Sequence, residues 1–258
     1  MTEQRILQIE KLDYAIGGHT ILKDINCCFA TGGIHGLIGP NGSGKSTLLR
    51  NICRILEPQS GRVLINGRDY RRFSRKNLSQ KVTLVQQDTR CDFSMSVFDF
   101  VAMGRHPHLK RLQGLGHRDL NIIDEALRVT GTEFFRNRLV NELSGGEAQL
   151  VNLARALTTE APIILLDEPT SALDILHKLE IMELLISLRD AGKTIIISIH
   201  DLDLARRYCD TVTLLQLGRI YYHGMAGEGF ADQCIKEVFH VGVEEVATEY
   251  GVTLLFYR

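Results

Sequence analysis

Gly39-Pro40-Asn41-Gly42-Ser43-Gly44-Lys45-Ser46 decides the reading of this chain. The run follows a short apolar stretch, Ile34-His-Gly-Leu-Ile38, and leads into a segment whose spacing predicts a helix from about Lys45 to Leu56. It matches G-x-x-x-x-G-K-[ST], a strand-to-helix turn that cradles phosphate. Glycines in such a turn let backbone N–H groups curl around phosphate oxygens, where a Cβ would obstruct them. The following helix aims the positive end of its dipole at the same anion. Lys45 supplies a point charge for the β- and γ-phosphates, and the Ser46 hydroxyl suits Mg2+.

Two further stretches lie downstream. In Ile163-Ile-Leu-Leu-Asp167-Glu168 an apolar strand delivers a carboxylate at its C-terminal edge, where open α/β sheets place their ligands. Asp167 is a candidate Mg2+ ligand, and Glu168, one residue on, is free to serve an attacking water. Leu143-Ser144-Gly145-Gly146-Glu147 opens a strongly periodic helix with Leu150, Leu153, Ala154 and Leu157 on one face. Ser144 is a good N-cap, and the free N–H groups of that turn favour an anion.

The rest of the chain reads as one α/β unit. Ile6–Ile9, Tyr14–Ile16 and Ile21–Phe29, punctuated by Gly17-Gly18 and Gly32-Gly33, predict antiparallel strands. Val63–Ile65 and Val82–Val85 predict two more. From about Asp88 to Leu143 strand runs give way to helical spacing (Leu120, Ile123, Leu127), which predicts an inserted helical subdomain. Ile163–Leu166 and Thr194–Ile199 are continuous apolar runs, the mark of buried parallel strands. Between them Ile181, Leu184, Leu185 and Leu188 define a helix stopped by Gly192. A short helix near Leu202–Cys209 and a hairpin from Thr211 to His223 around Gly218 follow, and the remaining residues are read only as a tail.

Composition narrows the classes. The chain has 258 residues, a net charge of −1 and 44% hydrophobic residues, enough for a sizeable core. A charge this close to neutral argues against broad nucleic-acid binding. No apolar run approaches the roughly 18–20 residues that cross a bilayer, and the first residues lack the apolar core of a signal peptide. A membrane-spanning, secreted or fibrous protein is therefore not expected. The six cysteines form no C-x-x-C pair and the nine histidines no close metal pair, so reduced, mostly structural cysteines are expected.

Taken together, these motifs resemble the nucleotide-binding subunit of ABC transporters from about residue 5 to about residue 225. Gly39–Ser46 resembles the Walker A loop, with Thr47 beside it; Leu143–Glu147 resembles the LSGGQ signature, with Glu147 in the last position. Asp167-Glu168 resembles Walker B plus the catalytic glutamate, Ser171-Ala-Leu-Asp174 the D-loop, and His200 the switch histidine. Gln87 falls where the family has its Q-loop glutamine, although Gln86 stands next to it. Tyr14 falls where an aromatic residue stacks on adenine.

The resemblance implies a P-loop NTPase core with a mainly parallel sheet, an N-terminal antiparallel β subdomain and an inserted helical subdomain. It divides the chain into a core at 1–87 and 151–230, helices at 88–150 and a tail at 231–258. It implies ATP and Mg2+ as ligands, with Glu168, His200, Gln87 and Lys45 catalytic and Ser46, Gln87 and Asp167 at the metal. It also implies a homodimer in which each ATP lies between Walker A of one copy and Ser144–Gly146 of the other. Any transport then requires two integral membrane permease subunits and, indirectly, an extracytoplasmic binding protein, which places the chain at the cytoplasmic face of the membrane. Nucleic acid is not an implied partner.

Met95–His108 contains V-x-x-x-V-x-x-G-R-x-P and resembles importers of ferric siderophores, haem and vitamin B12. The tail is too short for the regulatory domain common in maltose-type, molybdate or methionine importers. Gln86, where that subfamily commonly has Pro, and Ala148, where it has a basic or bulky residue, depart from the pattern. Another importer, an exporter subunit and a non-transport ATPase such as an iron–sulfur assembly factor remain open at this point.

Overall fold

Long apolar runs can form strands only where both faces are covered, and the main sheet shows how this chain covers them. The computed structural model describes residues 5–86, 94–171, 173–249 and 251–258. An antiparallel sheet holds β1 (Arg5–Ile16), β2 (His19–Ala30), β4 (Ser60–Ile65) and β5 (Arg68–Asp69) in the order β2-β1-β4-β5. The main sheet holds β3 (Ile34–Ile38), β6 (Val82–Val85), β7 (Ile163–Asp167), β8 (Thr194–Ser198), β9 (Thr211–Gln216) and β10 (Arg219–Met225). Its order is β10-β9-β3-β8-β7-β6, parallel except for β10, which returns antiparallel on β9.

Alternate residues of the central strands feed two separate cores. Ile164, Leu166, Ile195 and Ile197 face one cluster, shared with Ile181, Leu185 and Leu188 of the helix Ile175–Asp190. Ile163, Leu165 and Ile196 face the other, shared with Leu7, Ile9, Leu22 and Phe29 of the antiparallel sheet. Both faces are covered, so the strands need no polar alternation. The carboxyl ends of β3, β7 and β8 carry Gly39, Asp167-Glu168 and His200 to one edge of the sheet.

The helices are α1 (Lys45–Ile52), α2 (Arg75–Ser79), α3 (Val97–Ala102), α4 (His117–Val129), α5 (Gly145–Leu157), α6 (Ile175–Asp190), α7 (Leu202–Tyr208), α8 (Ala226–Gly229) and α9 (Asp232–Phe239). A third core, with Val97, Val101, Ile123, Leu127, Val140, Val151 and Ala154, joins α3, α4 and α5. Two features depart from the sequence reading. First, α1 stops at Ile52, not Leu56: Arg54 adopts φ +58° and the amides of Ile55 and Leu56 turn back to the Arg50 carbonyl. Second, the tail is structured. After α9, β11 (Gly242–Thr248) and β12 (Gly251–Tyr257) form a hairpin. It is fixed to α7 by Leu254 N–H donating to Asp203 Oδ1 at 2.7 Å and by the Arg206–Glu245 ion pair at 2.6 Å. No helix of the described residues is long and apolar enough to cross a membrane.

Candidate functional site

Two glycines of the loop after β3 stand where their neighbours leave no room for a side chain. A Cβ on Gly39 would run into the Leu215 carbonyl oxygen, and one on Gly44 would lie 2.7 Å from Leu22 Cδ2. Gly44 also takes φ +106° to cap α1, which a side chain would strain. Lys45 opens the helix, is 5% exposed, and folds back to donate to the Gly39 carbonyl at 2.8 Å and the Pro40 carbonyl at 3.2 Å. Burial holds its pKa below the usual lysine value, while Glu168 and Asp167 pull the other way. The Ser43 hydroxyl is buried with no partner among the described residues. Pro40, Asn41 and Gly42 complete the loop, with Asn41 and Gly42 exposed. Thr47 sits in the first turn of α1, where its carbonyl accepts from Asn51 Nδ2 at 2.8 Å.

The carboxylates stand opposite. Ser46 Oγ donates to Asp167 Oδ1 at 2.9 Å, and Ser198 Oγ reaches the same oxygen at 2.8 Å. Ser198 Oγ also receives the Glu168 amide at 2.8 Å. Glu168 has φ +51°, a left-handed conformation uncommon outside glycine, asparagine and aspartate. Its backbone is pinned there from both sides: its carbonyl accepts from the Ser171 amide at 3.1 Å and the Ser171 hydroxyl at 2.8 Å. The Glu168 Oε1 pairs with His200 Nε2. Loop, two carboxylates and histidine thus form one connected polar cluster.

The remaining expected residues lie elsewhere. Ser144 caps α5, its hydroxyl accepting from the Glu147 amide at 3.3 Å while Glu147 Oε2 accepts from the Ser144 amide at 2.7 Å. This reciprocal pair explains the glutamate in the signature as a capping box. No hydrogen bond among the described residues joins Ser144, Gly145 or Gly146 to the 39–47 loop. Tyr14 is 9% exposed and belongs to the core cluster that β1 shares with β2 and β4, so stacking on adenine at this position stays an expectation of the resemblance. The pairing of β1 with β2 slips on either side of Tyr14, and Ile16, at the strand end, is 62% exposed instead. Gln87 lies outside the described residues.

The arrangement suits a nucleoside triphosphate with a hard divalent cation. Glycines leave room for phosphate oxygens, the first-turn amides of α1 are available to an anion, and the Lys45 amine can exchange two carbonyls for phosphate. Ser46 and Asp167 present two oxygen donors 2.9 Å apart, the ligand type that Mg2+ takes. Among the described residues no group of three or more His, Cys, Asp or Glu side chains is placed to hold a metal by itself.

Fold and cluster together define a P-loop nucleotide-binding cassette. The ABC transporter family profile matches residues 22–171, and the chain belongs to that family. It is 39% identical over 238 residues to the cobalamin import ATP-binding protein BtuD of Halobacterium salinarum, covering 92% of this chain and 59% of that protein. The chain thus spans less than two thirds of that relative's length. It is 36% identical to the iron(3+)-hydroxamate import ATP-binding protein FhuC of Bacillus subtilis, over 93% of this chain and 90% of that one. The dimeric structure of MJ0796, a bacterial ABC transporter cassette, superposes with a TM-score of 0.74 at 29% identity, covering 85% of this chain and 98% of that one.

Three residues have roles that the sequence reading did not give them. Ser198 bridges Asp167 and Glu168; the one signal was a hydroxyl interrupting the apolar run Ile195–Ile199, two residues before His200. Ser171 holds the Glu168 backbone. Arg105, read as part of a subfamily stretch, is a buried structural hub, bonded to Asp119 at 2.9 Å, Glu160 at 2.8 Å and the Thr158 carbonyl at 2.7 Å.

Proposed function

We propose that this chain is the ATP-hydrolysing subunit of an ABC importer for a ferric siderophore or a related metal chelate such as haem or cobalamin. The observation that carries the ATPase reading is the bonded line from Ser46 through Asp167 and Ser198 to Glu168 and His200. In that line Glu168 accepts a proton from the attacking water as its oxygen bonds to the γ-phosphorus and the bond to the β–γ bridging oxygen breaks. His200 orients the Glu168 carboxylate and then meets the γ-phosphate, and Lys45 binds the β- and γ-phosphates. Ser46 and Asp167, together with Gln87 by the family resemblance, would hold Mg2+, which would supply charge neutralisation at the phosphate oxygens. Positioning and charge stabilisation supply most of the rate.

The functional unit is a homodimer with two ATP sites at the interface. Ser144–Gly146 are unconnected to the loop of their own chain, and their helix N-terminus suits the γ-phosphate bound by a second copy. Ile175 and Leu176, just after the D-loop, are 77% and 63% exposed, apolar surface that such pairing could cover. The dimeric cassette structure noted above supports this arrangement. Residues 1–87 and 151–230 make the nucleotide-binding core, 88–150 the helical subdomain and 231–258 the tail. Two permease subunits, fed by an extracytoplasmic binding protein, hold the dimer at the cytoplasmic face of the membrane.

The importer reading is supported by the names of the cobalamin and hydroxamate relatives. Recovery from detergent extract tests it. A polytopic membrane subunit should copurify, and vesicles carrying the complex should take up an iron chelate, haem or cobalamin when ATP is supplied. Recovery with cluster-assembly proteins and no membrane subunit would overturn it.

A further inference from the structure

We propose that His177 is a positioning residue that ties the signature turn of α5 to the start of α6, and that its protonated ring strengthens ATP-driven pairing of two copies. The inference rests on the ATP-bridged dimer proposed above, and it concerns a residue to which that mechanism gives no role.

The ring is held from two sides. Asp174 caps α6, and its Oδ1 accepts both the His177 backbone amide at 2.9 Å and the ring Nδ1 at 2.7 Å. These two hydrogen bonds to one oxygen hold the side chain against its own helix. The far edge of the ring lies over Gly146. A Cβ on Gly146 would collide with the ring at Cδ2 and would lie 2.8 Å from Nε2. Gly146 is therefore bare on the side that admits the imidazole, and the signature turn cannot shift without moving His177 and, through it, Asp174. The D-loop and the signature of one copy are thus mechanically joined in that copy.

The ring also carries charge. On α6 it faces Asp174 and Glu180, and on α5 it faces Glu147, whose carboxylate has Arg138 at 3.6 Å. The hydrogen bond to Asp174 holds the ring's pKa above the usual histidine value, against the cost of burial, with Glu180 and Glu147 adding to it. A cation so placed stands behind the first turn of α5. Glu147's amide there is already taken by Ser144, whereas those of Gly145 and Gly146 have no partner within the helix. An imidazolium behind these donors adds to the helix dipole in attracting an anion on the outer side. In the closed dimer that anion is the γ-phosphate held by the other copy. Loss of the proton as pH rises removes this attraction and leaves the packing intact.

The test compares ATP-driven dimerisation by light scattering after size exclusion, from about pH 6 to about pH 8.5, a range that spans histidine titration. All proteins carry Glu168→Gln so that ATP is not consumed. The unmodified ring should need about fivefold more ATP for half-maximal dimer at the alkaline end, the scale of a charge near a helix terminus. His177→Asn keeps an amide able to donate to Asp174 and removes the titrating charge. It should flatten this step and converge with the unmodified ring at high pH. Asp174→Asn keeps the cap but not the charge, and should move the midpoint to lower pH. An undiminished step in His177→Asn, or an unmoved midpoint in Asp174→Asn, would overturn the role of His177 while leaving the ATPase reading in place. Absence of ATP-dependent dimer at every pH, with the His177 ring present, would overturn the dimer reading and this inference with it.

Discussion

Replacing Arg105 by Met should cost the fold about 3 kcal/mol, and the structure explains both the size and its ceiling. The guanidinium is 2% exposed and makes three bonds: to Asp119, to Glu160 and to the Thr158 carbonyl. Breaking a buried ion pair by removing one partner typically costs about 3–5 kcal/mol, because the other charge is stranded. Here the lower end applies. Asp119 keeps the Gly116 amide at 3.0 Å, and Glu160 is 37% exposed, with Arg118 at 3.4 Å. In a chain of this length that loss lowers Tm by about 6–12 °C. The double variant Arg105→Met with Asp119→Asn should recover part of it, since the stranded charge is removed while the amide oxygen can still accept from Gly116. Arg105→Lys should not, because one ammonium cannot span three acceptors set around a planar fork. Urea unfolding at neutral pH reads all of these. A loss below about 1 kcal/mol for Arg105→Met, or a double variant no better than the single, would show that Arg105 is not the hub joining α4 to the end of α5.

Three further outcomes follow from the surroundings of single side chains. Tyr14→Ala should cost about 3–5 kcal/mol of stability, as a large core deletion does. Ile16→Tyr should instead leave stability unchanged and tighten ATP binding about fivefold or more, since a base stacked on an aromatic ring gains about 1–3 kcal/mol. Equilibrium binding of a fluorescent ATP analogue reads the second effect, and unchanged affinity would show that the end of β1 does not meet the base. His223 bridges the two sheets, with Nδ1 2.8 Å from Thr213 Oγ1 and Nε2 2.8 Å from the Cys28 carbonyl. Burial depresses its pKa in the fold. The unfolded chain therefore binds the proton first, so this stability is complete above about pH 6.5 and declines as pH falls towards the folded value. His223→Gln should show a shallower decline in urea midpoint between about pH 7.5 and about pH 5.5; parallel curves would remove the assignment.

Much of the fold was legible because its signals are local. Ile163–Leu166 and Thr194–Ile199 read as strands buried on both faces, and the structure places alternate residues in two cores. The phosphate loop was legible because its glycines, lysine and serine stand at a fixed short spacing, and Gly42 and Gly44 take the positive φ that glycine favours. What was not legible depends on distant partners or on conformations without a marker. Arg54 ends α1 in a left-handed conformation without the glycine that usually announces it. The β11–β12 hairpin rests on Asp203 and Arg206 of a helix 39 to 51 residues earlier. Tyr14 faces inward because the ladder slips beside it, a register no strand pattern discloses. Ser198 and His177 acquire meaning only when β7 lies beside β8 and α5 beside α6.

The central claim is that Glu168, held by Ser198, Ser171 and His200, activates the water that cleaves ATP. Single-turnover hydrolysis by Glu168→Gln tests it most directly, with nucleotide binding and dimer formation measured on the same sample. The account predicts unchanged ATP affinity, hydrolysis slower by about 10²–10⁴-fold, the usual worth of a general base, and accumulation of an ATP-bound dimer. Hydrolysis by this variant at the rate of the unmodified chain would contradict it.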